Sequence, residues 1–383
     1  VNTAIQSLPA QSVERIEVFN KLSDEAEFSG MDDGEGYKAL NIVTRENMRN
    51  AQFGKVYAGY GYQPETDAVT SHHKYTVGGN VNFFRDDSRI SVIGLFNNIN
   101  QQNFSFEDIL GVSGNTGGER PRGVGQYMVR PQDGVALVNS IGLNYSDTWG
   151  KKDQVKFQGS YFFNNTDTKN LSSEETWYES PSPVDTLLQT GNSRTINNNH
   201  RLNARIDWRI APNHSLMSRT SFSYQGNNPI ENTLGYKYGE SGLSYIDDYS
   251  KNKYSGWRLN EFLQYRVRLG KAGRTMTVDG RINYNENTRN RYISSNNAMS
   301  IPYSDDPDSE YRQALDDYRE YGIDGVPQLY DPLYQYIHTP TRKYTLRGNV
   351  EYNEPIAKNM QVSLQYRFSY ESEKKDQRAY YTD

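Results

Sequence analysis

The sequence predicts an all-β fold, a transmembrane antiparallel β-barrel. Three observations carry this: long segments that alternate apolar and polar residues, connections that are alternately short and long, and a polar chain rich in tyrosine.

In 201–210, Leu202, Ala204, Ile206, Trp208 and Ile210 share one parity, and Arg201, Asn203, Arg205, Asp207 and Arg209 share the other. In 257–269, Trp257, Leu259, Leu263, Tyr265, Val267 and Leu269 oppose Arg258, Asn260, Gln264, Arg266 and Arg268. In 360–370, Met360, Val362, Leu364, Tyr366, Phe368 and Tyr370 oppose Gln361, Ser363, Gln365, Arg367 and Ser369. A period of two gives each parity its own face of a strand. The pattern predicts strands near 53–62, 73–85, 88–100, 134–146, 153–165, 197–210, 214–226, 253–269, 274–289, 342–353 and 359–372. The segment 88–100 is the least regular, because Ile90, Val92, Ile93, Leu95 and Phe96 put apolar groups on both faces.

Length separates the two β readings. Strands of soluble proteins average roughly 5–6 residues. A strand of about 11 residues, rising about 3.3 Å each and tilted about 40°, spans about 27 Å, close to a hydrocarbon core of about 30 Å.

The connections sort in the same way. Short turns are expected at Asp86-Asp87, 147–152, 211–213, 270–273 and 354–358, and long loops at about 101–133, 166–196, 227–252 and 290–341. Short on one side and long on the other is the asymmetry of outer-membrane barrels, periplasmic and extracellular respectively. A soluble sandwich has no reason to sort its loops. Bacterial single-chain barrels have even strand numbers. An odd eleven therefore reads as an unfinished barrel, and eleven is half of 22.

Composition agrees. Only 35% of the 383 residues are hydrophobic, yet 31 are Tyr, and mean hydropathy is -0.89. Disordered chains are poor in aromatics, so this polar chain is expected to fold with a wet face. No run of 18 apolar residues supports a membrane helix. Val1-Asn2-Thr3 does not open a signal peptide, which fits a cleaved leader or an internal piece. With no Cys there is neither a disulfide framework nor a thiolate metal site. The net charge of -5 is mild and the cations are dispersed along the sequence, so nucleic acid is not expected as a partner. No Gly-x-Ser-x-Gly elbow, Walker loop or His-Glu-x-x-His occurs, and no enzyme is expected.

Residues 1–46 differ from the rest. The run LPAQSVERIEVFNK (8–21), followed by GEGYKALNIVTRE (34–46), resembles the C-terminal part of the plug domain of TonB-dependent outer-membrane transporters. Arg15 and Glu17 match the first plug element, and Asn41 and Thr44 the second. The segment between departs from the family's Gly-rich pattern, and the chain looks like a divergent branch similar to the SusC-like barrels. The resemblance implies that 1–46 is the C-terminal part of a small α/β plug and 47–383 the N-terminal half of the barrel, about the first 11 strands of 22. It implies import of a nutrient (glycan, peptide or chelate) by energy-coupled movement of the plug. Outer-membrane lipid and the TonB complex would be partners, with a surface lipoprotein as a lid. The alternative role is an accessory barrel in membrane-protein assembly or secretion. A passive porin would begin directly with strands.

Asp32, Asp33 and Glu35 offer the carboxylate oxygens of a structural Ca²⁺ site but lack EF-hand spacing. A solvated turn is the plainer expectation, as it is for Asp305, Asp306 and Asp308. His72-His73 lacks the third and fourth ligands of a metal site. The loop 290–341 carries Tyr303, Tyr311, Tyr318, Tyr321, Tyr330, Tyr334 and Tyr336, and Ser309 is placed to cap a helix at about 309–321. With Phe104 and Phe106 of loop 101–133, the aromatics Tyr303, Tyr311 and Tyr334 are candidates to stack on sugars or anchor a partner. The plainer expectation is that they pack their loops together. Tyr60, Tyr62, Tyr145, Trp149, Tyr161, Trp208, Tyr224, Trp257, Tyr284 and Tyr366 are expected in interface girdles.

Overall fold

The computed structural model describes residues 13–21, 37–44, 50–64, 72–101, 134–151, 153–178, 185–295, 301–321, 333–357 and 360–381. Two strands, β1 (Val13–Lys21) and β2 (Tyr37–Thr44), pair antiparallel with each other. The rest is one sheet built from β3 (Asn50–Tyr62), β4 (His73–Arg85), β5 (Ser88–Asn97), β6 (Val135–Trp149), β7 (Val155–Tyr178), β8 (Asp185–Ala211), β9 (His214–Gly239), β10 (Gly242–Arg268), β11 (Thr275–Ser295), β12 (Leu333–Ala357) and β13 (Met360–Lys375). Each strand pairs with its neighbours in sequence, and all pairs are antiparallel. A short β14 (Arg378–Tyr381) extends the edge by pairing with β12 above the end of β13.

These strands cover the eleven segments that alternate in sequence. The sheet is nearly all-β and antiparallel, as expected, but it is not closed. β3 and β13 are its two edges among the described residues. The expected α/β plug fragment appears only as the β1–β2 hairpin, with no helix among its described residues.

Register fixes the tilt. One row of directly opposed residues runs Val81, Val92, Leu143, Tyr161, Leu202, Phe222, Leu259, Tyr284, Tyr344. Val81 lies about five residues above the β4–β5 turn, and Tyr344 about fourteen above the β12–β13 turn. The row therefore climbs about one residue per strand. With about 3.3 Å of rise against about 4.8 Å of strand spacing, the strands tilt by about 35°, in the range of barrels.

Two expected loops are strand. Residues 166–178 and 185–196 continue the β7–β8 ladder and 227–252 the β9–β10 ladder, and the second hairpin turns only at Glu240-Ser241. In 166–178 and 185–196 both parities are mostly polar, so the two-residue hydrophobic period disappears; in 227–252 the outer parity is apolar at Leu234, Tyr236, Leu243 and Tyr245, but Asn232 and Asp247 interrupt it. The expected loop 290–341 shrinks likewise, since β11 runs to Ser295 and β12 begins at Leu333.

The helix α1 (Glu310–Tyr321) forms where Ser309 predicts it. Ser309 Oγ accepts from the Arg312 N–H at 3.3 Å, which satisfies one of the free amides of the first turn. Tyr311, Ala314 and Leu315 of α1 bury against Tyr236, Leu243 and Tyr245 at the tip of the β9–β10 hairpin. Ile301 pairs its backbone with Leu243 beside them. Leu315 is 3% exposed. Leu315→Ala should therefore cost about 2–5 kcal/mol of local stability. The expected readout is protease cleavage within α1 of the folded, detergent-extracted protein, with the strands left intact.

Candidate functional site

The two faces of the sheet are unlike, and register keeps them apart across all of β3–β13. One parity, here the outer face, carries Val56, Val77, Val92, Leu143, Leu202, Leu263, Ile282, Val350 and Leu364, all exposed. The other, inner parity carries every buried residue of these strands below the hairpin tip. Most are polar: Asn82, Ser91, Asn97, Ser140, Thr166, Asn197, Thr277 and Thr345. Leu202 is 41% exposed while Ser91 is 5%. A soluble protein does the reverse.

Aromatic residues bound the apolar band at two levels. Above lie Tyr60 with His73, His200 between Phe163 and Tyr224, Trp257 stacked on Tyr284, and Tyr344 beside Tyr370. Below lie Trp149 stacked on Phe157, and His214 hydrogen-bonded to the Tyr265 hydroxyl at 2.6 Å. Trp208 to His200 on β8, and Tyr265 to Trp257 on β10, each span eight residues. At a 35° tilt that is about 22 Å, close to the apolar band of about 25 Å in membrane barrels. All ten aromatics expected in girdles lie on the outer face. Tyr161 and Tyr366 sit within the band and not at its rim.

Between the girdles Glu261 is the single Asp, Glu, Lys or Arg among the described outer-face residues of β7–β13; on β6 Asp147 stands at the lower rim, opposite Phe157, and accepts from the Tyr145 hydroxyl at 2.7 Å. The Glu261 carboxyl accepts from Ser218 Oγ at 2.7 Å and Thr220 Oγ1 at 2.5 Å. These two donors give the group the partners that surrounding hydrocarbon could not.

The inner face has two sectors. On β5–β7, Ile93, Leu95, Val138 and Phe162 are buried. A Cβ on Gly142 would lie 2.4 Å from Ile93 and 2.7 Å from Phe162, so only glycine lets those side chains close over the backbone. On β8–β12, arginines line up in rungs. One rung of opposed residues reads Arg205, Arg219, Phe262, Arg281, Arg347. Four residues above is Arg201, Ser223, Arg258, Asn285, Lys343, and four below is Arg209, Ser215, Arg266, Thr277, Glu351. Asn227 Oδ1, Gln264 Oε1, Thr277 Oγ1 and Asn349 Oδ1 are buried on this face without a hydrogen-bond partner among the described residues. Buried polar atoms need partners, so this is a surface built for water or a polar ligand.

At the hairpin tip, outside the apolar band, Asp185 is 2% exposed. It accepts from the Ser241 N–H at 3.0 Å and Ser241 Oγ at 2.7 Å, and pairs with Lys237 at 2.7 Å. Burial alone would raise its carboxyl. The hydrogen bonds from Lys237 and Ser241 outweigh that and hold it below the usual carboxylate range.

The residues singled out in sequence scatter. Asp32, Asp33 and Glu35, and Phe104 and Phe106, lie outside the described residues. Arg15 pairs with Glu17 at 2.7 Å and Glu14 at 3.3 Å. Asn41 stands opposite Glu17, and Thr44 opposite Val13. Tyr311 is buried under α1, so its ring is not a docking surface. Tyr303 is exposed, packs edge-on against Tyr311 and bonds Asp305. Tyr334 is exposed on β12 and is a strand residue. Among the described residues no group of three His, Asp or Glu could hold a metal. The sequence did not single out Asp185, Glu261 or the lateral alignment of the arginines. The alternating pattern marks each arginine as inward, but only register shows which ones face each other.

No family model matches the chain, and no curated protein matches it. Among solved structures it is similar to the crystal structure of BamA from Haemophilus ducreyi lacking POTRA domains 1–3, at 10% identity over 98% of this chain and 77% of that one. The TM-score is 0.16, so the likeness carries no weight for fold or function.

Two outcomes are expected. Asp185 has a depressed pKa in the folded chain, so its contribution is complete above about pH 4, the unfolded value, and is lost as pH falls through the folded value below it. Protease sensitivity of the β9–β10 tip should rise over that acid window in the native protein and be flat in Asp185→Asn. Ser218→Ala with Thr220→Val strands the Glu261 carboxyl and should cost about 1–3 kcal/mol in urea unfolding from lipid vesicles. Glu261→Leu should be neutral or stabilising.

Proposed function

We propose that this chain is wall and plug-end of an outer-membrane β-barrel that imports a nutrient with energy coupled through TonB. The carrying observation is the inverted burial of β3–β13, apolar parity exposed and polar parity buried, within a band whose height fits a bilayer. Lipid favours apolar side chains facing outward, and a wet lumen favours the polar ones within. Hydrocarbon offers no partners to a free sheet edge. In the membrane, β3 and β13 must therefore pair with further strands, as a barrel of about 22 strands would supply. The tall β7–β8 and β9–β10 hairpins stand on the extracellular side, opposite the short turns.

The TonB-coupled role draws its support from the motif of Arg15, Glu17, Asn41 and Thr44, two short elements directly ahead of the first wall strand. The mechanism follows from the parts. A barrel this wide leaves an aqueous channel unless filled. A plug hydrogen-bonded to the polar inner face would close it, and a pull on the plug would open a path. The chain itself would perform no covalent chemistry.

The deciding experiment is capture of the full-length detergent-extracted protein on the immobilised periplasmic domain of TonB. Binding supports import. Its absence, with the protein folded and located in the outer membrane, removes the import reading and leaves an assembly or secretion role. For the membrane wall itself, Leu202→Arg on the outer face should cost roughly 2–4 kcal/mol of folding into lipid vesicles. Asn203→Arg on the inner face should cost far less. Equal effects of the two would sink the assignment of faces.

A further inference from the structure

We infer that the arginine sector of the inner face binds a solute carrying several anionic groups, carboxylate, sulfate or phosphate, along its length. This rests on the import reading and names the chemical class of the cargo.

The charge is concentrated where register puts it. Five strands, β8–β12, and five successive inner rows, from Arg201 to Arg209 on β8, make one patch of opposed residues. It holds the cations Arg201, Arg205, Arg209, Arg219, Arg258, Arg266, Arg281, Lys343 and Arg347, and the acids Asp207, Asp279 and Glu351. That is nine against three on these five strands, in a chain whose net charge is -5; Glu371 and Glu373 of the adjoining β13 hold Lys343 at 2.7 and 3.2 Å, so the eight arginines carry the excess. The acids are engaged already. Asp207 holds Arg205 at 2.6 and 3.0 Å, Asp279 accepts from Asn349 at 2.7 Å, and Glu351 accepts from Asn353 at 3.2 Å and Ser363 at 3.3 Å.

Arg205 stands directly opposite Arg219, and Arg281 directly opposite Arg347. Like charges so placed weaken a sheet. Asp207 offsets part of this at Arg205, and an anion seated between the facing guanidiniums would offset more. Phe262 separates the two pairs, with the Arg219 and Arg281 guanidinium carbons 5.9 and 5.2 Å from its ring centre. A guanidinium stacked on a ring keeps its in-plane fork of donors, which matches carboxylate, sulfate and phosphate. The pattern repeats about every 13 Å along the strands, four residues per tier. Three cationic tiers suit a chain of charges passing lengthwise, and one small anion would use only one of them. The β5–β7 sector carries only Arg89 and Lys156, each near the lower end of its strand, and is apolar at Ile93, Leu95, Val138 and Phe162, so the recognition is one-sided.

The test is calorimetric titration of the full-length protein in detergent with three probes: a linear hexagalacturonate, inositol hexakisphosphate, and neutral maltohexaose. At least one anionic probe should bind, more weakly as salt rises, and maltohexaose should not. Arg219→Gln with Arg281→Gln should weaken anion binding about 100-fold, about ten-fold per guanidinium. Arg347→Gln alone, about ten-fold, serves if the double variant does not fold, as judged by heat-modifiable mobility. Equal binding of charged and neutral hexamers, binding unchanged in these variants, or no binding of either anion overturns the inference. TonB capture is read in parallel. Capture without anion binding removes this inference and leaves import standing, whereas anion binding without capture keeps the site and removes import.

Discussion

Every strand from β4 to β12 satisfies its backbone with the strand before it and the strand after it. That pairing rule governs the rest of the molecule. A peptide group in hydrocarbon has no water to turn to, and a long antiparallel ladder meets its needs entirely within the chain. The ladder sets side-chain direction by parity, and register then decides which side chains become neighbours. Tilt, band height, girdles and arginine rungs all follow from one set of pairings. A slip of one residue would exchange the two faces along a whole strand.

The outer parity meets three environments along one hairpin, and its residues change accordingly. Within the band it is aliphatic and exposed, as at Leu202 and Leu263. At the rim it is aromatic, as at His200, Tyr224 and Trp257. At the tip it is apolar again, at Tyr236, Leu243 and Tyr245, and there α1 covers it. Leu243 is 2% exposed where Leu263 is 47%. The chain supplies its own cover only where a bilayer would not. Glu261 shows the converse, since a carboxyl in the band is held by two hydroxyls of the neighbouring strand.

The strand cores were legible in the sequence because one wet face and one apolar face force a two-residue period. Past the band the period weakens, and 166–178, 185–196 and 227–252 read as loops though they extend the ladders. The helix start was legible because a cap is a local device, a single Ser309 acting three residues on. The arginine rungs were not legible. Arg205 faces Arg219 only because of an irregularity between Arg209 and Ala211, next to the turn at Pro212-Asn213. Such a bulge shifts the pairing by one residue, and nothing in the local composition announces it. Asp185 was hidden for a related reason, since its partners Lys237 and Ser241 lie about fifty residues away and meet it only at the joined tips of two hairpins.

The purely sequential order of the strands bears on how such a wall changes size. Closing each new pair brings together segments that are already adjacent, so the entropy lost per step stays small however wide the sheet becomes. The growing edge is always a single strand. Two strands joined by a turn begin and end on the same side of the band, so adding or removing such a pair leaves every other turn and every parity where it was. Adding or removing one strand would send all later turns to the opposite side. The hairpin is thus the heritable unit of width, and a wall of this kind can gain or lose circumference in pairs without redesigning what remains.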